Sequence, residues 1–158
     1  MIEYEYSFKV KSLIPYINYC KENNFEKIEE SSQTRVLYTN ENKILARITT
    51  STINGKKSTV LNFKDDNNSK EILKISRESI PLKIKNNDMA AVISILDILG
   101  YSKYKTLIRK RIIYKKNDVT FELDNYTKPE SMQVIAIEGD KSKVDKIYNE
   151  LKNKFNLI

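Results

Sequence analysis

The sequence predicts an α+β domain: one large antiparallel sheet with three helices packed on it. Three observations lead there. About eight stretches alternate apolar and polar residues with period 2. Most of them are joined by connections too short for a parallel crossover. Three other stretches show helical spacing, each with a polar residue, Ser12, Asp88 or Asp140, at the position of an N-cap. A length of 158 residues suits one domain spanning 1–158, and 40% apolar residues suffice for a core, which argues against a disordered chain.

The first strand, Ile2 to Val10, puts Ile2, Tyr4, Tyr6, Phe8 and Val10 on one face and Glu3, Glu5, Ser7 and Lys9 on the other. Ser12 caps a helix that accepts Pro15 in its first turn and runs to about Asn23, with Leu13, Tyr16, Ile17 and Cys20 on one stripe. Strands are then expected at Gln33–Thr39, Lys43–Thr50, Ser58–Lys64 and Glu71–Lys85, the last bent or broken at Pro81. Asn40–Asn42, Ile53–Gly55 and Asp65–Ser69 read as the turns between them. Asp88 caps the second helix, Met89–Leu99, and Gly100 stands where a C′ glycine belongs. Strands Lys105–Lys115 and Val119–Asp124 flank a tight turn at Lys116–Asp118, and Gln133–Glu138 is the last strand. Asp140 caps the final helix, which spaces Val144, Ile147, Tyr148, Leu151 and Phe155 along one side.

Composition excludes several chemistries. There is no histidine, so no His-dependent triad, general base or zinc site can form. The single cysteine, Cys20, excludes intrachain disulfides and Cys-rich metal sites. No apolar run reaches the ~18 residues of a membrane span, and the acidic, alternating start Met1–Glu5 does not read as a signal peptide. A cytoplasmic protein is expected, one without a membrane partner. The net charge of +7 points to anionic partners: nucleic acid, phosphorylated small molecules or a membrane surface.

Several strands place charge on one face only. Arg109 and Arg111 oppose Ile108, Ile112 and Tyr114, Glu122 and Asp124 oppose Phe121 and Leu123, and Glu138 opposes Ile135 and Ile137. Two forms satisfy this pattern: an open sheet with one face in water, or a closed barrel with a polar interior. The arginines favour a built site. Against 23 lysines there are only five arginines, Arg35, Arg47, Arg77, Arg109 and Arg111, and all fall in predicted strands. A guanidinium binds phosphate bidentately, which an ammonium cannot do.

The order of motifs resembles a known family. A Glu-x-Glu strand (Glu3, Glu5) and a helix precede Gln33 to Tyr38, Ala46-Arg47-Ile48 and Leu61-Asn62-Phe63-Lys64. Leu99-Gly100-Tyr101, the Arg109-x-Arg111 strand ending in Tyr114, Val119 to Asp124, and Ile135-Ala136-Ile137-Glu138-Gly139 follow. Together they are similar to the CYTH domain, the triphosphate tunnel metalloenzyme superfamily of class IV adenylate cyclases and of thiamine, inorganic and RNA triphosphatases. The resemblance implies an eight-stranded antiparallel barrel, a tunnel that concentrates positive charge, and a triphosphate-containing small molecule or polyphosphate inside it. It further implies Arg47, Lys64, Arg109 and Arg111 as phosphate ligands, with Lys9, Arg35 and Arg77 as further substrate-binding candidates. Glu3, Glu5, Glu122, Asp124 and Glu138 would hold Mg²⁺ or Mn²⁺, and Glu5 and Glu138 would also serve the catalytic step. Lys74 and Glu78 are additional candidates.

Two positions depart from the family pattern. Ser7 stands where its N-terminal signature has Lys, and Ala136 where its C-terminal signature has a first Glu. The leading expectation is therefore a metal-dependent phosphohydrolase or cyclase, of reduced activity given these losses. A non-catalytic binder of nucleotide or polyphosphate is the alternative. A nucleic-acid-binding sheet is disfavoured, because Tyr4, Tyr6 and Tyr114 lie on the apolar side of their strands, away from the basic row. Either a monomer or a homodimer suits the sequence.

Overall fold

The computed structural model describes residues 2–65 and 72–155. Strands β1 (Ile2–Val10), β2 (Glu26–Thr39), β3 (Leu45–Ile53), β4 (Lys56–Asp65), β5 (Leu73–Glu78), β6 (Leu82–Ile84), β7 (Ser102–Lys116), β8 (Val119–Lys128) and β9 (Met132–Gly139) alternate with helices α1 (Ile14–Glu22), α2 (Met89–Ile98) and α3 (Lys141–Phe155). The sheet order is β3-β2-β7-β8-β9-β1-β5-β4, and β4 pairs back to β3 along its whole length. Eight antiparallel strands thus close into a barrel, which removes the sheet's free edges. The three-residue β6 lies outside the ring, as a flap paired to β4 at Thr59–Leu61.

Closure selects the polar-interior form over the open sheet. The apolar strand faces turn outward and the helices cover them. Helices α1 and α3 pack on β1, β8 and β9 through Tyr16, Cys20, Phe121, Ile135, Ile137, Val144 and Leu151. Helix α2 covers the far side, where Leu96 and Tyr101 meet Ala46, Ile48 and Ile84. Tyr6 stacks on Tyr148 at 4.2 Å and donates a hydrogen bond to Asp145 at 2.6 Å, fixing α3 to the barrel wall.

Several element ends differ from expectation. β2 begins at Glu26, seven residues before Gln33. Its early part, Glu26–Ser32, is too polar to read as a strand, but pairing with Lys110–Lys115 of β7 makes it one. β8 runs on to Lys128. The Glu71–Lys85 stretch is two strands separated at Ser79–Pro81; Glu71 and positions 66–69 of the expected turn lie outside the described residues. Asp140 caps α3 by accepting from the backbone N–H of Lys143 at 3.2 Å. Asp88 makes no capping hydrogen bond, because a turn of 3-10 helix at Asn86–Asp88 leads directly into α2. Ser12 accepts from Ile14 N–H at 3.2 Å but sits one residue before the N-cap, Leu13. The β3–β4 hairpin turns at Asn54 and Gly55, with φ of 50° and 78°, as a tight two-residue turn requires.

Candidate functional site

The barrel encloses a cavity of about 480 Å³ lined from all eight ring strands. Because side chains alternate along each strand, the odd positions of β1, β2, β3 and β7 and the even positions of β4, β5, β8 and β9 face it. Six cations (Arg35, Arg47, Lys64, Lys74, Arg109, Arg111) and seven carboxylates (Glu3, Glu5, Glu29, Glu78, Glu122, Asp124, Glu138) line it. The interior is therefore close to charge-balanced. This corrects the expectation of a net positive tunnel: the chain's surplus of +7 resides on its outer surface.

Ion pairs tie most of these groups together. Arg111 donates from Nε and Nη2 to the two oxygens of Asp124, both at 2.7 Å, and its Nη1 lies 2.7 Å from Glu122 Oε1. The register makes this possible, since Arg111 is directly opposite Asp124. Arg47 Nη2 is 2.7 Å from Glu78 Oε2, and Lys64 stands 3.4 Å from Glu78 Oε1 and 3.7 Å from Glu5 Oε2. Lys74 is 3.6 Å from Glu5 Oε1.

Two arginines are held more loosely: Arg109 has one longer ion pair, from Nη1 to Asp124 Oδ2 at 3.5 Å, and Arg35 has none among the described residues. Arg109 donates from Nε to Gln33 Oε1 at 2.9 Å and from Nη1 to the Tyr126 hydroxyl at 2.8 Å. Its Nη2 is buried and has no hydrogen-bond partner. Arg35 donates from Nε to Thr49 Oγ1 at 2.8 Å and has no carboxylate in ion-pair contact among the described residues. Burial, with Arg109, Arg47 and Arg111 around it, pushes its pKa down to about 9. It stays a cation at neutral pH, in a field that favours an anion.

Opposite this arginine wall is an acid pair. Glu5 and Glu138 are direct cross-strand partners and hydrogen-bond through their carboxyl groups. Burial and the nearby charges of Glu122 and Glu5 push Glu138 up to about 10, so it holds a proton. Burial alone would raise Glu5 as well, but Lys64 and the Glu138 hydrogen bond outweigh it and hold the group below its ordinary value. Glu3, on the same face of β1, is raised by burial and by Glu78.

The structure thus brings Glu3, Glu5, Arg35, Arg47, Lys64, Arg109, Arg111, Glu122, Asp124 and Glu138 to one cavity. Two sequence candidates lie outside it. Lys9 has the right strand phase but sits beyond the cavity, exposed, 3.6 Å from Glu130. Arg77 has the wrong phase: with Lys74 and Glu78 inward on β5, it points out and lies 3.5 Å from Asp65. Asp124 has both oxygens occupied by Arg111, a geometry for orienting a guanidinium and not for holding a metal. Sequence reasoning missed Glu29 and Tyr126. Glu29 lies in the unrecognised start of β2. Tyr126 follows Asp124 at the same parity, a signal hidden by ending that strand four residues early, at Asp124 instead of Lys128. Ser7 and Ala136, the two departures, are direct partners across β1 and β9, and both line the cavity.

No protein family and no curated protein matches the chain by sequence. Solved structures do match. A protein of Pyrococcus horikoshii is 20% identical, with a TM-score of 0.73 over 99% of this chain and 91% of its own. A chain of the Schizosaccharomyces pombe Mediator head module is 10% identical, with a TM-score of 0.69 over 99% and 95%. A Hippeastrum protein with a dominant triphosphatase activity is 12% identical, with a TM-score of 0.68 over 96% of this chain and 87% of its own. The closed eight-stranded barrel of this chain has the CYTH, or triphosphate tunnel, fold.

Proposed function

We propose that the chain is a single CYTH-like domain whose barrel binds a triphosphate-bearing small molecule or polyphosphate and acts on it as a metal-dependent phosphohydrolase or cyclase. The observation that carries this reading is the buried, unpartnered Nη2 of Arg109 beside Arg35, a guanidinium with no carboxylate partner among the described residues. A buried donor left without an acceptor costs about 1–3 kcal/mol, and an anionic oxygen between these two arginines removes that cost. Arg47 and Lys64 extend the row of cations and exchange Glu78 for further phosphate oxygens. Gln33, Tyr126 and Asp124 hold Arg109 and Arg111 in place, so that little side-chain freedom is lost on binding.

Glu3, Glu5 and Glu138 offer only carboxylate oxygens, a donor set suited to Mg²⁺ or Mn²⁺. A divalent cation there supplies charge neutralisation at a phosphoryl oxygen and a more acidic water. Glu138 would have to release its proton to solvent for a cation to bind, and Glu5, already held below its ordinary value, is placed to accept a hydrogen bond from a water. The similar Hippeastrum barrel has a dominant triphosphatase activity, which favours hydrolysis, although cyclisation would need the same bound triphosphate.

A second reading is a non-catalytic binder. It draws on the fact that, among the described residues, no three carboxylates stand together as a ready metal group. One screen separates the two. Phosphate release from tripolyphosphate, ATP and thiamine triphosphate is measured with Mg²⁺ and with Mn²⁺, and cyclic AMP is assayed in parallel. The catalytic reading expects metal-dependent turnover of at least one substrate, lost in Glu138→Gln. Tripolyphosphate binding without turnover establishes the binder, and no binding at all sinks both.

A further inference from the structure

We propose that the tunnel takes an organic triphosphate, an ester whose uncharged group lies against Leu37, Leu45 and Leu107. The inference rests on the tunnel reading above and narrows its ligand from triphosphates in general to those with an apolar substituent. Three neighbouring strands carry it. On β7, β2 and β3, the cavity-facing residue that follows an arginine towards one end of the barrel, where β2 finishes and β3 and β7 begin, is a leucine. The successions are Arg109 to Leu107, Arg35 to Leu37 and Arg47 to Leu45. Each leucine is also the direct cross-strand partner of a tunnel cation: Leu107 of Arg35, Leu37 of Arg47 and Leu45 of Lys64. Directly paired residues project to the same face of a sheet, so an apolar layer borders the layer of cations.

The facing wall changes character in the same direction. Along β1 the cavity-facing residues pass from Glu3 and Glu5 to Ser7, and along β9 from Glu138 to Ala136 and Val134. On β8, Tyr126 follows Asp124, with its hydroxyl accepting from Arg109 Nη1 at 2.8 Å. Lys74 also lines this end, held 3.6 Å from Glu5. The two departures from the family pattern, Ser7 and Ala136, thus belong to the wall that loses its charge towards the leucines.

Phosphate oxygens match this layer poorly. An oxygen set against leucine gives up water and gains no donor, whereas a carbon placed there gains by leaving water. The outward neighbours Ala46 and Ile48 of β3 are covered by α2, but Leu37, Leu45 and Leu107 face the cavity, and their surface is open to a ligand. Leu37 is buried and the other two are half-buried, so the layer lies within the barrel. This order of side chains gives the ligand a direction. Its organic group rests on the leucines, its phosphates run along Arg35, Arg47 and Arg109, and its terminal phosphate points towards Glu5 and Glu138.

Calorimetric titration of the full chain with tripolyphosphate and with methyl, ethyl, n-propyl and n-butyl triphosphate tests it, in EDTA and again in Mg²⁺. The affinity should rise about fourfold per added methylene, roughly 50-fold across the series, although the esters carry less negative charge than tripolyphosphate. In Leu37→Thr and in Leu107→Thr the n-butyl to methyl ratio should fall below about 10-fold. That ratio is the readout, because a general loss of fold or of charge weakens every member alike and does not imitate it. A flat series with tripolyphosphate still bound overturns the inference and leaves the tunnel reading standing, whereas no binding by any member overturns both. A rise that survives both leucine changes also overturns it, by placing the alkyl group elsewhere.

Discussion

Replacing Glu138 by Gln should stabilise the metal-free protein while abolishing its capacity for metal. In the fold Glu138 is protonated, because burial and the Glu122 and Glu5 charges lift it from 4.5 to about 10. The unfolded chain loses that proton near pH 4.5. For an acid raised on folding, the native state binds more protons than the unfolded state between the two values, so stability falls as pH rises through that window. From pH 4.5 to pH 8 the cost is at most about 1.4 kcal/mol per pH unit, a ceiling near 5 kcal/mol. Sharing of the proton with Glu5 and entry of water into the cavity reduce this to roughly 2 kcal/mol. Gln has the shape of the protonated acid and can still donate to Glu5, so it escapes this cost. The melting temperature in EDTA should therefore rise by ~4–8 °C at pH 8 and by far less at pH 5, while Mn²⁺-induced stabilisation disappears. A lower melting temperature at pH 8, or an equal shift at both pH values, would refute the reasoning about the Glu5–Glu138 pair.

Three other expectations follow from the arginines and from the paired departures. Arg35→Gln removes a cation that no described carboxylate balances, so calorimetry should show tripolyphosphate affinity falling roughly 10- to 150-fold with no loss of melting temperature. Arg111→Ala instead strips Glu122 of its partner and leaves Asp124, 2% exposed, with only the longer 3.5 Å pair to Arg109 among the described residues, and should cost about 3–5 kcal/mol in a denaturant titration; a neutral result would show that those acids are not held by Arg111. Ala136→Glu alone sets a new acid opposite Glu122 and close to Glu138, and should destabilise the fold. Adding Ser7→Lys, its direct cross-strand partner, should recover about 0.5–3 kcal/mol beyond additivity, and strictly additive melts would show that the two sites do not meet.

The barrel interior was legible in the sequence wherever a strand obeyed period 2. Arg109, Arg111, Glu122, Asp124 and Glu138 were assigned to a common side because their apolar neighbours fix the opposite side against helices. That logic failed at three kinds of place. The Arg77 phase was lost because the break at Pro81 left no continuous alternation to count from. Glu29 was lost because Glu26–Ser32 contains almost no apolar residue, and only its pairing with β7 makes it a strand. Lys9 shares the inward phase, but phase says nothing about height along a tilted strand, and Lys9 stands past the end of the cavity. The location of net charge was also out of reach, since composition counts charges without saying which ones cancel.

Charge cancellation links the fold to its proposed ligand. The described interior is lined mainly by polar and charged side chains, so ion pairs do much of the joining there. Arg111 spans β7 and β8, and Arg47 reaches from β3 to Glu78 on β5. Lys64 bridges β4 to Glu5 on β1, and Glu5 also meets Lys74. Among the described residues, β4 and β5 are in register at Lys64–Glu78 and Asp65–Arg77, and Glu78 is held there by Arg47, Asn62 and Lys64. Pairs this buried gain little over their desolvation cost unless every partner is satisfied. A polyanion that takes Arg47 and Lys64 must displace Glu78 from them, and a divalent cation near Glu5 and Glu138 must displace their shared proton. Under the proposed function the same side chains would both tie the barrel together and receive the ligand: the internal acids would stand in for phosphate oxygens and the Glu5–Glu138 proton for a metal.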